Sequence, residues 1–164
     1  MDELEISYMS AGDLSRLVSK KEVSPVEIVD AHLSRIQATE PVLNSFITLL
    51  AEEARGSARQ AEREIQAGKY RGPLHGIPVG LKDLYNTRGV RTTSGSRIFD
   101  NFVPAEDCTV AVRFREAWAI LLGKLNMHEF AWGGTSRNPH YGTPRNPWDL
   151  TRLPGGSSGG SAVA

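Results

Sequence analysis

The stretch G-I-P-V-G-L-K-D-L, residues 76–84, decides the fold of this 164-residue chain. Its apolar residues 77–81 stand between turn formers and predict a short buried strand, with Pro78 near the start or at an irregularity. Lys82 follows this strand at once. Because burying an ammonium group is costly, we expect Lys82 either to pair with an acid such as Asp83 or to be kept neutral as a base.

The part of the chain before this strand, residues 1–70, is predicted to be helical. Ser24, Pro25 and Glu27 form a capping box before apolar residues at helical spacing, so a helix is expected to begin there. A stripe of alanines ending before Gly68 indicates another helix. The expected helices are a short one capped by Ser10 with Asp13 at its third position, one over about 25–38, and one over about 48–67.

From residue 71 onward, glycine and proline separate short apolar runs in the manner of an α/β core. Residues 107–117 predict a helix with Asp107 as cap and apolar side chains within it, and residues 119–122 predict a second buried strand. This alternation favours a largely parallel or mixed sheet. The expected class is therefore α/β, with N-terminal helices followed by part of a mixed sheet. The apolar side chains of the 107–117 helix are Val110, Val112, Phe114 and Ala117.

Trp118 is unusual, because it lies where that helix passes directly into the second strand. Such a junction commonly ends on a left-handed residue, and glycine adopts that conformation at the lowest cost. The sequence therefore predicts either a strained residue at Trp118 or a turn of another geometry.

The composition is that of an ordinary soluble domain, with 40% hydrophobic and 23% charged residues. The 19 basic and 19 acidic residues give a formal charge of zero, which argues against a nucleic-acid partner. Cys108 is the single cysteine, which excludes an internal disulfide. The acidic N-terminus is unlike a signal peptide, and no apolar run is long enough for a membrane span, so we expect a cytoplasmic protein without membrane association.

A second conspicuous stretch is P-G-G-S-S-G-G-S, residues 154–161. Its composition alone is typical of a flexible linker. A phosphate-binding loop would need a lysine and a spacing that this stretch lacks. The apolar residues 162–164 resemble the first turn of a buried helix, which argues against the linker.

Together these stretches resemble the amidase signature family, in order from about residue 10 to residue 164. The resemblance implies that the chain is the N-terminal part of a single amidase domain, in which helices surround a large mixed sheet. The matching motifs are H-G-I-P-V-G-L-K-D at 75–83, T-T-S-G-S at 92–96, L-L-G-K-L-N-M-H-E-F at 121–130, N-P-H-Y-G-T-P-R-N-P-W-D at 138–149 and P-G-G-S-S-G-G-S-A at 154–162.

The resemblance implies a Ser–Ser–Lys triad, in which a lysine hydrogen-bonds a serine held in a cis peptide and that serine relays the proton of a nucleophilic serine. Lys82 matches the lysine and Ser157 the cis serine. In the family the nucleophile and the oxyanion hole follow in a later glycine-rich loop, which the present residues do not include. Ser158 is expected to hold the loop by hydrogen bonding and Ser161 to lie at a helix start, so neither replaces the nucleophile.

The segment 130–134 aligns with the stretch that lines the acyl side of the cleft in related amidases. It predicts substrate-binding roles for Ala131, Trp132, Gly133 and Gly134, with core packing by Phe130 and Trp132 as the alternative.

We expect no cofactor and no metal site. His128 and Glu129 are adjacent rather than at ligand spacing. The other two histidines of these motifs, His75 and His140, lie apart from each other in the sequence.

Three functions follow as hypotheses. The first is hydrolysis of a small-molecule carboxylic amide through a serine acyl-enzyme. The second is that of the A subunit of a tRNA-dependent amidotransferase, which releases ammonia from glutamine. T-T-S-G-S at 92–96, in place of the T-T-C-A-S associated with that subunit, favours the first.

The third hypothesis is a non-catalytic fragment or interaction module. A chain without the rest of the sheet is expected to expose strand edges and apolar surface. We therefore expect residues 1–164 alone to be inactive, and to be stable only as a homodimer or with a chain that supplies the missing C-terminal half.

Overall fold

The computed structural model describes residues 1–164 and has the expected α/β class. None of its helices combines the length and the apolar character that crossing a membrane requires. The helices are α1 (Glu3–Tyr8), α2 (Ala11–Ser19), α3 (Pro25–Leu43), α4 (Ala51–Gln66), α5 (Thr109–Glu116) and α6 (Gly159–Val163). The strands are β1 (Phe46–Leu49), β2 (Pro78–Lys82) and β3 (Ile120–Leu125). Two 3₁₀ turns lie at Arg97–Phe99 and Glu129–Ala131.

The predicted caps of α2 and α3 are confirmed. Ser10 Oγ accepts a hydrogen bond from the backbone N–H of Asp13 at 3.1 Å. At α3, Glu27 N donates to Ser24 Oγ at 3.1 Å and Ser24 N donates to Glu27 Oε2 at 2.8 Å, which is a complete capping box. Each cap satisfies backbone donors that a helix start would otherwise leave unpaired.

Helix α3 continues past the predicted end at about residue 38 to Leu43, with Pro41 inside it. Pro41 lacks a backbone donor, yet Asn44 N still bonds Glu40 O at 3.0 Å and closes the last turn. Asn44 then adopts a left-handed conformation with φ 52°, which ends the helix.

The prediction of one helix over about 48–67 is wrong at its start. Residues 46–49 form β1, and α4 begins only at Ala51. Aromatic and β-branched residues in F-I-T-L suit a pleated strand, and pairing with β3 outweighs the helical pattern. The predicted end is confirmed, because Gly68 has φ 78° and donates to Ile65 O at 3.0 Å.

The chain divides into two compact units. Unit 1 comprises residues 1–38, 50–79 and 113–122, and unit 2 comprises 39–49, 80–112 and 123–164. The alanine stripe of α4 is buried in unit 1, as expected for its inward face. The hydrophobic core of unit 1 is formed by Ile6, Leu14, Val18, Val23, Ile28, Ala31, Ile65 and Ile77.

The three strands form a mixed sheet in the order β1–β3–β2. Strand β1 is antiparallel to β3, with Thr48 opposite Lys124. Strand β2 is parallel to β3, because Ile120 N bonds Ile77 O at 2.9 Å and Asp83 N bonds Leu125 O at 3.0 Å. Both predicted strands therefore exist, and β3 runs three residues beyond the predicted end at 122. The parallel pair brings the end of β2, which carries Lys82, beside the end of β3.

Helix α5 runs from Thr109 to Glu116, so it is shorter than the predicted 107–117 and leaves Asp107 outside it. Asp107 Oδ1 accepts from the backbone of Arg88 at 2.6 Å, while the helix begins at Thr109. Its buried side chain is Ala111, whereas Val110 and Val112 are exposed.

Trp118 does adopt the left-handed conformation, with φ 62°. Trp118 N donates to Arg115 O and Ala119 N to Phe114 O, each at 3.0 Å, which is the bond pair of a Schellman motif. Two side chains contact the indole ring of Trp118 and stabilise it in this position. The guanidinium of Arg71 lies 3.9 Å from the ring centroid, and the ring of His75 packs edge-on at 5.8 Å. These contacts offset part of the cost of a bulky left-handed residue.

We expect Trp118→Gly to be more stable than Trp118→Ala by about 1 kcal/mol. Both variants lose the contacts with Arg71 and His75, but only alanine retains the left-handed cost. Urea denaturation of the two variants, beside the unsubstituted protein, measures the difference. Equal midpoints would contradict a strained backbone at this junction.

Candidate active site

Lys82 and Ser157, far apart in sequence, lie in contact in unit 2. Lys82 is the last residue of β2, and Ser157 lies in the loop immediately before α6. Lys82 Nζ and Ser157 Oγ form a hydrogen bond of 2.6 Å. Both residues are half-buried. A lysine and a hydroxyl at this distance can exchange a proton directly.

Burial lowers the pKa of Lys82 below the ordinary value for a lysine. Desolvation penalises the ammonium form, so the neutral amine becomes more accessible. A neutral amine is a proton acceptor, and this is the form that a general base requires.

The structure contains no ion pair between Lys82 and Asp83, which was the alternative role for this lysine. The Asp83 carboxylate faces Lys124 instead, with Lys124 Nζ 3.5 Å from Asp83 Oδ1. Lys82 hydrogen-bonds the hydroxyl of Ser157. Two adjacent residues thus have different partners, as expected for side chains that project to opposite faces of a strand.

The glycine-serine loop is held by backbone contacts. The peptide bond between Gly156 and Ser157 is cis. Ser157 O accepts from His128 N at 2.9 Å, and Gly160 N donates to Asn126 O at 2.8 Å. Residues 154–158 therefore form an anchored loop that leads into α6, to which residues 159–161 already belong.

The residue that supports this loop by a side-chain bond is Ser136, which no sequence pattern indicated. Ser136 is fully buried, and its Oγ accepts from Gly159 N at 2.9 Å. Ser158 makes no side-chain capping bond at the start of α6, although its backbone O accepts from Ala162 N at 3.2 Å, so its role in holding the loop stays a prediction. Ser161 lies within the first turn of α6, close to its predicted place. A serine in S-R-N carries no special pattern, so only the fold could reveal Ser136.

The segment predicted to bind substrate lies beside this loop. The backbone of Gly134 approaches Gly156 so closely that a Cβ on Gly156 would lie 3.0 Å from Gly134 C. Gly133 packs against the ring of His128. Trp132 is 90% exposed and Phe130 45% exposed, so core packing, the alternative role for these rings, is wrong. Gly134 thus lies beside the residue that precedes Ser157, and the substrate contacts of Ala131, Trp132, Gly133 and Gly134 stay a prediction.

The histidines and the acid near this segment take separate partners. His140 Nε2 lies 2.9 Å from Glu129 Oε1, and His128 Nδ1 lies 3.4 Å from Thr135 Oγ1. A hydrogen bond from Ser96 and the contact with His140 lower the pKa of Glu129. No group of three or more His, Cys, Asp and Glu side chains stands in an arrangement that could hold a metal ion.

Comparison with known proteins identifies the family of this chain. The family model described as Amidase matches residues 27–164. The mixed α/β class of the structure is also that of the solved amidases that it resembles. The chain therefore belongs to the amidase signature family.

Individual relatives are similar over nearly the whole chain. The A subunit of the Glutamyl-tRNA(Gln) amidotransferase of Geobacter sp. (strain M21) is 47% identical over 161 residues, which are 98% of this chain and 33% of that protein. The peptide amidase of Stenotrophomonas maltophilia has a TM-score of 0.87 at 36% identity, over 96% of this chain and 34% of that one. A bacterial aryl acylamidase of the same family has a TM-score of 0.90 at 32% identity, over 95% and 33%. The chain spans about a third of the length of these relatives.

Proposed function

We propose that the protein hydrolyses a carboxylic amide to an acid and ammonia or an amine through a serine acyl-enzyme. The observation that carries the proposal is the 2.6 Å hydrogen bond between Lys82 Nζ and Ser157 Oγ, formed by a lysine whose pKa burial lowers. Membership of a family with described amidases supports the choice of an amide as substrate.

In the proposed reaction, neutral Lys82 accepts the proton of Ser157, and Ser157 accepts the proton of a second serine outside residues 1–164. The second serine attacks the amide carbonyl, and the carbon–nitrogen bond breaks. The relay returns its proton to the leaving nitrogen. Water then hydrolyses the ester by the same relay, which restores the free serine.

The segment 131–134 is proposed to line the acyl side of the site. Trp132 offers an exposed apolar ring, and the backbone of Gly134 lies against Gly156, the residue before Ser157. The substrate would thus be a small-molecule amide with an apolar acyl group.

Residues 1–164 by themselves are proposed to be inactive, because the second serine is not among them. Activity would require further chain, either covalently continuous or supplied by a partner or a second copy. We also propose a cytoplasmic location, which suits a chain whose single cysteine, Cys108, is free.

The test is to trap the acyl-enzyme of the full-length protein. Aliphatic and aromatic primary amides are supplied with hydroxylamine, which competes with water for an acylated serine. We expect ammonia together with the hydroxamate of the acyl group. If neither product forms from any of these amides, the proposal fails.

A second candidate is release of ammonia from glutamine for a partner protein. The observation that favours it is the 47% identity with the A subunit of an amidotransferase, against 32% and 36% with the two amidases of known structure. Glutamine hydrolysis that appears only after the partner proteins are added would establish this function. Hydrolysis of simple amides without any partner would establish the first.

A further inference from the structure

A fully buried ion pair lies directly beside the proposed relay, and the proposed reaction uses neither of its groups. Lys124 on β3 and Asp83 after β2 are both 0% exposed. Lys124 Nζ lies 3.5 Å from Asp83 Oδ1. It also donates to Tyr85 O at 2.8 Å and to Thr92 Oγ1 at 2.6 Å. Two charges are rarely buried in this way unless their partners are well ordered.

Both the side chain and the backbone of Asp83 make hydrogen bonds. Its Oδ2 accepts from Thr93 N at 2.9 Å and from the hydroxyl of Thr93. Its backbone N donates to Leu125 O, and its backbone O accepts from Ser94 N, each at 3.0 Å. Asp83 Oδ1 has no hydrogen-bond donor and faces the ammonium of Lys124. The positive charge of Lys124 therefore compensates the negative charge on Asp83 Oδ1.

The pair is linked by short stretches of backbone to both halves of the relay. Asp83 directly follows Lys82, so the direction of the Lys82 side chain depends on how the Asp83 backbone is held. On the other side, Asn126 lies two residues beyond Lys124, and its carbonyl accepts from Gly160 N in the first turn of α6, the helix that follows Ser157. A shift of β2 against β3 would therefore change the distance between Lys82 Nζ and Ser157 Oγ.

We propose that Asp83 and Lys124 are positioning residues, which hold the ends of β2 and β3 in the register that places Lys82 against Ser157. The inference rests on the proposed function, because it assigns the pair to that reaction. Neither residue contacts the substrate or exchanges a proton in it. A 1 Å displacement of a catalytic group lowers rates strongly, so the pair acts on kcat.

The test uses the full-length protein with Lys124→Met, Asp83→Asn and the double variant. Each single variant leaves a buried group without its partner, and we expect kcat to fall about 10- to 100-fold with little change in KM. The double variant contains neither charge of the pair, so its kcat should recover to within about tenfold of that of the unsubstituted enzyme. Such a recovery is expected when two residues in contact are energetically coupled. Lys20→Met is the matched control, because Lys20 lies 3.9 Å from the Glu22 carboxylate at an exposed position, and its kcat should not change.

Rates are expressed per folded molecule, with the folded fraction taken from a denaturation curve at the assay temperature. A merely structural pair would lower that fraction and leave kcat per folded molecule unchanged, which would overturn the proposal. If Lys124→Met does not fold, Thr93→Val removes one bond to Asp83 and keeps both charges. An unchanged kcat in that variant would also overturn the proposal.

Lys82→Met distinguishes failure of the proposed function from failure of the positioning role. Full activity in Lys82→Met would overturn the proposed function and this inference with it. Loss of activity in Lys82→Met, with unchanged kcat in Lys124→Met, would overturn the positioning role alone.

Discussion

Replacing Lys82 with methionine in the full-length protein is expected to lower kcat for amide hydrolysis about 10³-fold, since a positioned general base commonly contributes that much. Methionine retains the apolar length of lysine and removes the amine that bonds Ser157 Oγ at 2.6 Å. Ser157→Ala removes the other end of the same bond and should cause a similar loss. Steady-state ammonia release measures both variants.

These losses should not be additive, because the two residues act as one relay. The double variant is expected to be no slower than the slower single variant. A product of the two separate losses would mean that Lys82 and Ser157 act independently.

The pH dependence gives a second measure of the same base. The pKa of Lys82 is lowered in the folded protein, and the active form is the neutral amine. We therefore expect kcat/KM to fall as the pH falls through that pKa, with a midpoint below the ordinary value for lysine. Burial of the Lys82 ammonium also lowers the free energy of unfolding. This destabilisation is complete at pH values below the pKa of Lys82 in the folded protein. It disappears as the pH rises to the ordinary pKa of a lysine, which applies to the unfolded chain. Lys82→Met should thus not lower the thermal midpoint at neutral pH, which separates lost catalysis from lost folding.

The second large effect is expected from Gly160→Ala. A Cβ at Gly160 would lie less than 3.0 Å from three backbone atoms, Ser45 O, Asn126 N and Asn126 O. Backbone cannot rotate away as a side chain can, so we expect a loss of about 3 kcal/mol in the free energy of unfolding. The displaced loop carries Ser157, and activity should be lost with it. Guanidinium denaturation and ammonia release measure the two effects.

Gly56→Ala is the matched control for this substitution. Gly56 lies inside α4, and a Cβ there would meet no atom within 4 Å. The same chemical change should raise stability by about 0.5–1 kcal/mol, because alanine favours a helix. A Gly160→Ala variant as stable as Gly56→Ala would contradict the close approach of α6 to the end of β3.

The starts of α2 and α3 and the end of α4 could be predicted from the sequence because their contacts are local. The bonds at Ser10, at Ser24 with Glu27, and at Gly68 each join residues no more than four apart. Both partners of each hydrogen bond therefore lie within one short stretch of the sequence. The strand at residues 46–49 was missed for the opposite reason, because its partner β3 is distant in sequence and supplies the pairing that outweighs helix propensity.

The candidate site was predicted in part. The motifs around Lys82 and Ser157 indicated both residues, and the glycine-serine composition alone would have suggested a linker. The sequence alone indicates that Trp118 is unusual, but the contacts with Arg71 and His75 that accompany its left-handed backbone come only from the fold. Ser136 and the ion pair of Asp83 with Lys124 were not found, because each joins segments with no shared local pattern.

The sequence by itself determined the α/β class, the capped starts of α2 and α3, the strand that leads to Lys82, and the family to which the motifs belong. Only the tertiary structure decided that Lys82 bonds Ser157 while Asp83 faces Lys124. The physical reason is that an ion pair or a hydrogen bond depends on distances of a few ångströms and on exclusion of water. For residues far apart along the chain, both conditions exist only after the strands have paired.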